Sequence, residues 1–176
     1  MSAYYIYLIS SLPVLNFSAK LPFSLEDFFN KCKNLIPEKE LEILRNTCGQ
    51  NNYSLDVPVS NSLKQWVSFE IALRNELVHA RATRKKIDPL KFLRFPDSAQ
   101  AQISHTAMIA YRSTSILEAE MILDQARWNF LEDLNQGHYF DFDFLLIYGL
   151  KLKILERWEK IQTADREHLL NTALLN

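Results

Sequence analysis

Residues 116–158 read ILEAEMILDQARWNFLEDLNQGHYFDFDFLLIYGLKLKILERW. The stretch scans as two apolar helices with a turn at Gly137-His138, and each helix carries an Arg-Trp pair, Arg127-Trp128 and Arg157-Trp158. Leu117, Met121, Trp128, Leu131 and Leu134 recur at helical spacing and form one stripe, which ends at Gly137, the usual residue after a helix. Asp141 then stands where an N-cap is needed, with Phe140 and Leu145 placed to form a hydrophobic staple. In the second helix Leu145, Tyr148, Leu152 and Leu155 make one stripe and Ile147, Ile154, Trp158 and Ile161 another. That face is too wide for a surface helix, so the pattern predicts the central helix of a bundle.

Working outward, Thr163 is read as the cap of a last helix through Leu175, with Leu169, Leu170, Ala173 and Leu174 on its apolar face. Upstream, Asp97 is read as capping a helix to about Arg112, and Asp88-Pro89 ends a long helix that begins near Asn61 and reaches Lys86. Trp66, Phe69, Leu73, Leu77 and Ala80 share one face of that helix, and Glu70 pairs with Arg74 at i,i+4. Gln50–Ser60 is the most loop-like segment. PEKELEILRNTCG, residues 37–49, starts a helix at Pro37 and stops it at Gly49, while Ser24 caps a short helix to about Asn34. Tyr4–Ile9, rich in Tyr, Ile and Leu, reads as a short extended segment, with a helical start as the alternative. The fold class expected is all-α: a compact multi-helix bundle in one helical domain, residues 1–176, with a short extended N-terminal segment.

Composition narrows the function. The chain has 176 residues, 48% hydrophobic and 23% charged, values suited to one globular domain with a core. A formal net charge of -1 gives no global reason to expect nucleic acid as partner. Only three glycines occur, so GxGxxG and GxxxxGK[ST] nucleotide cradles are excluded. Cys32 and Cys48 are too few and too far apart for a zinc ribbon or a disulfide framework, which favours a reduced, cytosolic chain. The apolar start MSAYYIYLISSLPVLNF has no basic n-region and is broken by Ser10, Ser11 and Pro13, so it is read as mature structure.

Chemistry-bearing patterns are sparse. His79, His105, His138 and His168 never form HxxxH or HExxH, and no GxSxG occurs. His138 with Asp141 and Asp143 is the nearest approach to a cation site, but Asp141 as cap and Asp143 in the first helical turn is the preferred reading. Trp66, Trp128 and Trp158 lie on apolar stripes and read as core. No catalytic residue, cofactor or metal ligand is assigned.

Three segments carry a resemblance: YYIYLISSLP at residues 4–13, FEIALRNELVHARA at 69–82, and LDQARWNFLEDLNQGHYFDFDFLLIYGLKLKILERW at 123–158. Together they resemble an uncharacterised bacterial family associated with V-type ATP synthases, similar to a counterpart of the C-type subunit of V-type ATPases. The resemblance implies a non-catalytic component that couples the central rotor shaft to the membrane proteolipid ring and so serves ion or proton transport. It implies central-stalk subunits and the ring as partners. It also implies a cytoplasmic location, peripheral on the inner membrane through the complex. Such a component needs stiff packed helices and charged faces that set register, and Arg74, Arg81, Arg84, Lys85 and Lys86 are the candidate partner-binding residues. Their bland reading is a solvated face with one ion pair.

The competing enzymatic reading rests on RNELVH, in which Arg74 and Asn75 precede His79 at the spacing of the HEPN ribonuclease motif. There an Arg and a His act on an RNA phosphodiester, in a helical toxin-antitoxin component. Residues five apart on one helix point about 140 degrees away from each other, so convergence needs a helix end or a second chain. A generic helical adaptor is the third reading.

Overall fold

A computed structural model describes residues 2–49, 60–94 and 101–174, with side chains for 4–49, 60–94 and 103–164. Among these residues there are seven α-helices and no strand: α1 (Ser2–Ser10), α2 (Leu25–Cys32), α3 (Glu38–Gly49), α4 (Asn61–Lys85), α5 (Ala101–Arg112), α6 (Ile116–Leu134) and α7 (Phe142–Leu174). A 3-10 turn, Pro89–Lys91, follows α4. The chain is a helical bundle protein, as the periodicity predicts, and it divides into two compact units.

The first unit holds α1, α2, α3 and α7, with α7 packed on α3 and α2. Ser24 and Asp27 close a capping box at α2: the Asp27 amide donates to Ser24 Oγ (3.1 Å) and the Ser24 amide to Asp27 Oδ2 (3.2 Å). The Ser24 hydroxyl and amide favour the ionised carboxylate and lower the Asp27 pKa, the hydroxyl contributing most. α7 presents apolar residues almost all round between Leu145 and Leu155, and Leu145, Leu146, Ile147 and Leu152 are essentially inaccessible. Gly149 lies where α7 approaches the other helices: a Cβ there would stand 2.8 Å from Cys48 Sγ and 3.1 Å from Phe28 Cε1. Tyr148 packs near Phe28 (5.4 Å between ring centroids), and its hydroxyl donates to the Pro13 carbonyl (3.0 Å), tying the N-terminal segment to α7.

The second unit holds α4, the 3-10 turn, α5 and α6, with α5 packed on both α4 and α6. Ser60 caps α4 by accepting from the Leu63 amide (3.1 Å). Trp66 and Phe69 of α4 meet Phe130 of α6, the two phenylalanine rings stacked at 4.2 Å and 10°.

Four expectations are corrected. Tyr4–Ile9 is helical, part of α1; a six-residue apolar run has no period long enough to separate strand from helix. Thr163 caps nothing: α7 runs unbroken to Leu174, and the Thr163 hydroxyl donates back to the Glu159 carbonyl (2.8 Å). The stripe on α6 is buried only over its second half. Trp128 and Leu131 are buried, whereas Leu117 and Met121, on the same face, stay about half exposed. The turn between α6 and α7 is placed as expected, with Asp141 Oδ1 accepting from the Phe144 amide (2.8 Å), but the flanking helices belong to different units and Phe140 remains 50% exposed, too open for a tight staple. The reading of Asp97 as a cap, the loop-like stretch at residues 50–59 and the side chains from Leu169 to Leu174 lie outside the described residues.

Candidate functional site

The chemistry of the second unit concentrates along α4, whose two halves differ. From Ser62 to Asn75 most side chains are buried, including Trp66, Phe69, Glu70 and Leu73; beyond Asn75 only Ala80 and Ala82 are. Arg74, Arg81 and Lys85 fall at i, i+7 and i+11, within about 40° of one another around the helix axis. All three are exposed, as are Arg84 and Lys86. Arg74, Arg81 and Lys85 thus form a cationic ridge that runs along α4 to its C-terminal end, while Arg84 lies about 100° round the helix from Lys85 and Lys86 takes the left-handed C-terminal position (φ 55°), so these two candidates stand beside the ridge.

The base of the ridge is anchored by buried charge. Glu70 is 4% exposed and Asp124, on α6, 1% exposed. Between them lies Arg127, whose Nε donates to Glu70 Oε1 (2.6 Å) and whose Nη1 donates to Asp124 Oδ1 (2.7 Å). Burial alone would lower the Arg127 pKa, but the two carboxylates more than offset it and the net shift is upward. The i,i+4 pair read from the sequence is present but looser, with Arg74 Nε 3.7 Å from Glu70 Oε2 and the Arg74 side chain exposed. Arg127 is the residue that sequence reasoning missed: a partner 57 positions away leaves no local trace, although Asp124 and Arg127 beside Trp128 and Leu131 place charge on a buried stripe.

RNELVH resolves into three separate roles. Arg74 stands beside Glu70, and His79 is exposed with its carbonyl accepting from Thr83 Oγ1 (2.9 Å). Asn75 is buried: its Nδ2 donates to the Arg94 carbonyl (2.6 Å), and its Oδ1 accepts from the Arg94 amide (3.0 Å). Because α4 is continuous from Asn61 to Lys85, Arg74 and His79 remain about 140 degrees apart and do not converge within one chain.

At the turn before α7, Asp141 Oδ2 lies 2.6 Å from His138 Nδ1, with Asp143 Oδ2 at 3.9 Å. Asp141 therefore caps α7 with one oxygen and orients His138 with the other. Among the described residues no group of three His, Cys, Asp or Glu is arranged to hold a metal ion, and no helix is long and apolar enough to cross a membrane. An open groove of about 130 Å³ beside the Phe69-Phe130 stack is lined on its polar side by Thr106, Asn129 and Asp133.

A family model described as a protein of unknown function (DUF2764) matches residues 105–172, from within α5 through α6 and most of α7. No curated protein and no solved structure matches the chain.

Proposed function

We propose that this chain is a non-catalytic component of a bacterial V-type ATPase, coupling the central shaft to the proteolipid ring in ion transport, with the α4 ridge as one of its contact faces. The observation that carries the reading is the pairing of an exposed row, Arg74, Arg81 and Lys85, with a buried ionic clamp, Glu70-Arg127-Asp124, at its foot. A contact that must set register under load needs charges on a stiff support, and a 25-residue helix with no internal glycine, clamped to a second helix, is such a support. The resemblance at residues 4–13, 69–82 and 123–158 supports the choice of complex.

The test is co-purification with the V-type catalytic and shaft subunits, using wild type and the double charge reversal Arg81→Glu/Lys85→Glu. Both sites are exposed, so the variant should melt with the wild type and lose the partners. A stably folded wild-type chain that never associates with those subunits sinks the proposal.

A HEPN-like ribonuclease is the second reading, favoured by the exposure of both Arg74 and His79 on a locally basic helix. It requires a second copy to bring the two side chains together. Comparing RNA cleavage by wild type and His79→Ala decides it: equal background activity in both disposes of the enzyme.

A further inference from the structure

Residues 81–94, RATRKKIDPLKFLR, hold six basic residues and one acidic residue in a chain whose net charge is -1. The segment is an ordered elbow. Lys86 ends α4 in the left-handed conformation, with the Lys86 amide donating to the Thr83 carbonyl (3.3 Å) and the Ile87 amide to the Ala82 carbonyl (3.1 Å), a Schellman-like stop. Asp88, the one acid, turns its carboxylate back to accept from the Leu90 amide (3.0 Å), with Pro89 opening the 3-10 turn. Asn75 then grips Arg94 through both of its backbone groups. Caps and clamp together hold the intervening apolar side chains outward: Ile87 is 46%, Leu90 69% and Phe92 58% exposed.

We infer that this elbow docks peripherally on an anionic lipid bilayer, with Ile87, Leu90 and Phe92 entering the headgroup layer and Arg84, Lys86 and Lys91 facing lipid phosphates. Exposed apolar side chains on a stabilised turn indicate an interaction site. Alternation of basic and apolar residues at such a tip matches the charge and polarity gradient of a membrane interface. Two of the three apolar residues are aliphatic, with no stacking face for a nucleic-acid base. Protruding side chains also fit a fluid interface without a preformed pocket, which a protein partner would have to supply. The inference does not depend on the rotary ATPase reading, and it uses different residues from those reversed in the co-purification test.

Sedimentation of the purified chain with vesicles tests it. Binding to phosphatidylcholine mixed with phosphatidylglycerol is expected, with none to phosphatidylcholine alone, and added salt should weaken it. Lys86→Glu/Lys91→Glu should abolish binding, while Leu90→Ser/Phe92→Ser, with every charge intact, should weaken it about tenfold or more. All four positions are exposed, so unchanged melting is the control for folding. Placing tryptophan at Phe92 should give fluorescence quenched by brominated lipid, while the buried native tryptophans stay unquenched. Equal binding to neutral vesicles, full binding by the Leu90→Ser/Phe92→Ser variant, or tighter capture by single-stranded RNA than by anionic vesicles would each overturn the proposal, the last assigning the elbow to nucleic acid.

Discussion

The side chain of Asn75 replaces a strand partner for Arg94, donating to its carbonyl at 2.6 Å and accepting from its amide at 3.0 Å across 19 residues of chain. The turn after α4 therefore depends on one buried amide. Asn75→Leu removes both bonds and strands a carbonyl and an amide, so a loss of about 1–3 kcal/mol is expected in denaturant unfolding. Asn75→Asp keeps the acceptor for the Arg94 amide but sets a buried carboxylate oxygen against the Arg94 carbonyl, so it too should be destabilising. Hydrogen exchange should speed up at the Arg94 amide in Asn75→Leu, with the α6 amides less affected; an unchanged Arg94 amide in that variant would show that the clamp does not hold the elbow.

Arg127 neutralises two buried carboxylates at once. Arg127→Met takes the shared cation from two buried carboxylates, and the expected cost is about 3–5 kcal/mol. Removing both carboxylate charges as well, in Glu70→Gln/Asp124→Asn/Arg127→Met, should recover part of that loss. Thermal melts of the wild type and the two variants check the sign. An equal deficit in both variants would mean that lost packing, and not lost charge, sets the cost.

The helices were legible where burial is periodic within one element. Trp66, Phe69 and Leu73 on α4 and the double stripe on α7 as far as Trp158 are buried as their spacing requires, Ile161 being only partly covered. Local steric and capping signals at Ser24 and Asp141 were equally readable. What the sequence could not carry is the identity and length of each helix's neighbour. Leu117 and Met121 continue the α6 stripe yet stay half exposed, and the turn at Gly137 joins helices that pack in separate units. The cationic ridge was visible because charge is a property of single residues. Its supports were not: Asn75 and Glu70 look like ordinary polar positions until partners 19 and 57 residues away are brought to them. Ile87, Leu90 and Phe92 carry no periodic signal, since the chain there is a capped turn.

Gly149 marks the tightest packing in α7. Alanine would gain helix propensity, roughly 1 kcal/mol, but its Cβ would sit 2.8 Å from Cys48 Sγ and 3.1 Å from Phe28 Cε1. Overpacking of this kind costs about 1–3 kcal/mol, so Gly149→Ala should be destabilising on balance. Cys48→Ala removes the nearer atom. The double variant should therefore unfold at higher denaturant than the sum of the two single losses requires, and strict additivity would show that the backbone shifts instead.

Cys32 and Cys48 are both fully buried, and burial pushes each thiol up from an ordinary 9.0 to about 12. At neutral pH the folded chain thus offers no thiolate, and Ellman's reagent should react only as fast as the protein opens, then with both thiols in denaturant. The same shift sets an alkaline limit. Below pH 9 the thiols are protonated folded or unfolded and cost nothing; between 9 and 12 only the unfolded chain releases these protons, so stability should fall as pH rises through that window. Cys32→Ala/Cys48→Ala should lose some core packing yet show a flatter alkaline decline than wild type. Equal slopes in the two proteins, or a rapid stoichiometric reaction of the native chain at neutral pH, would contradict the buried neutral pair.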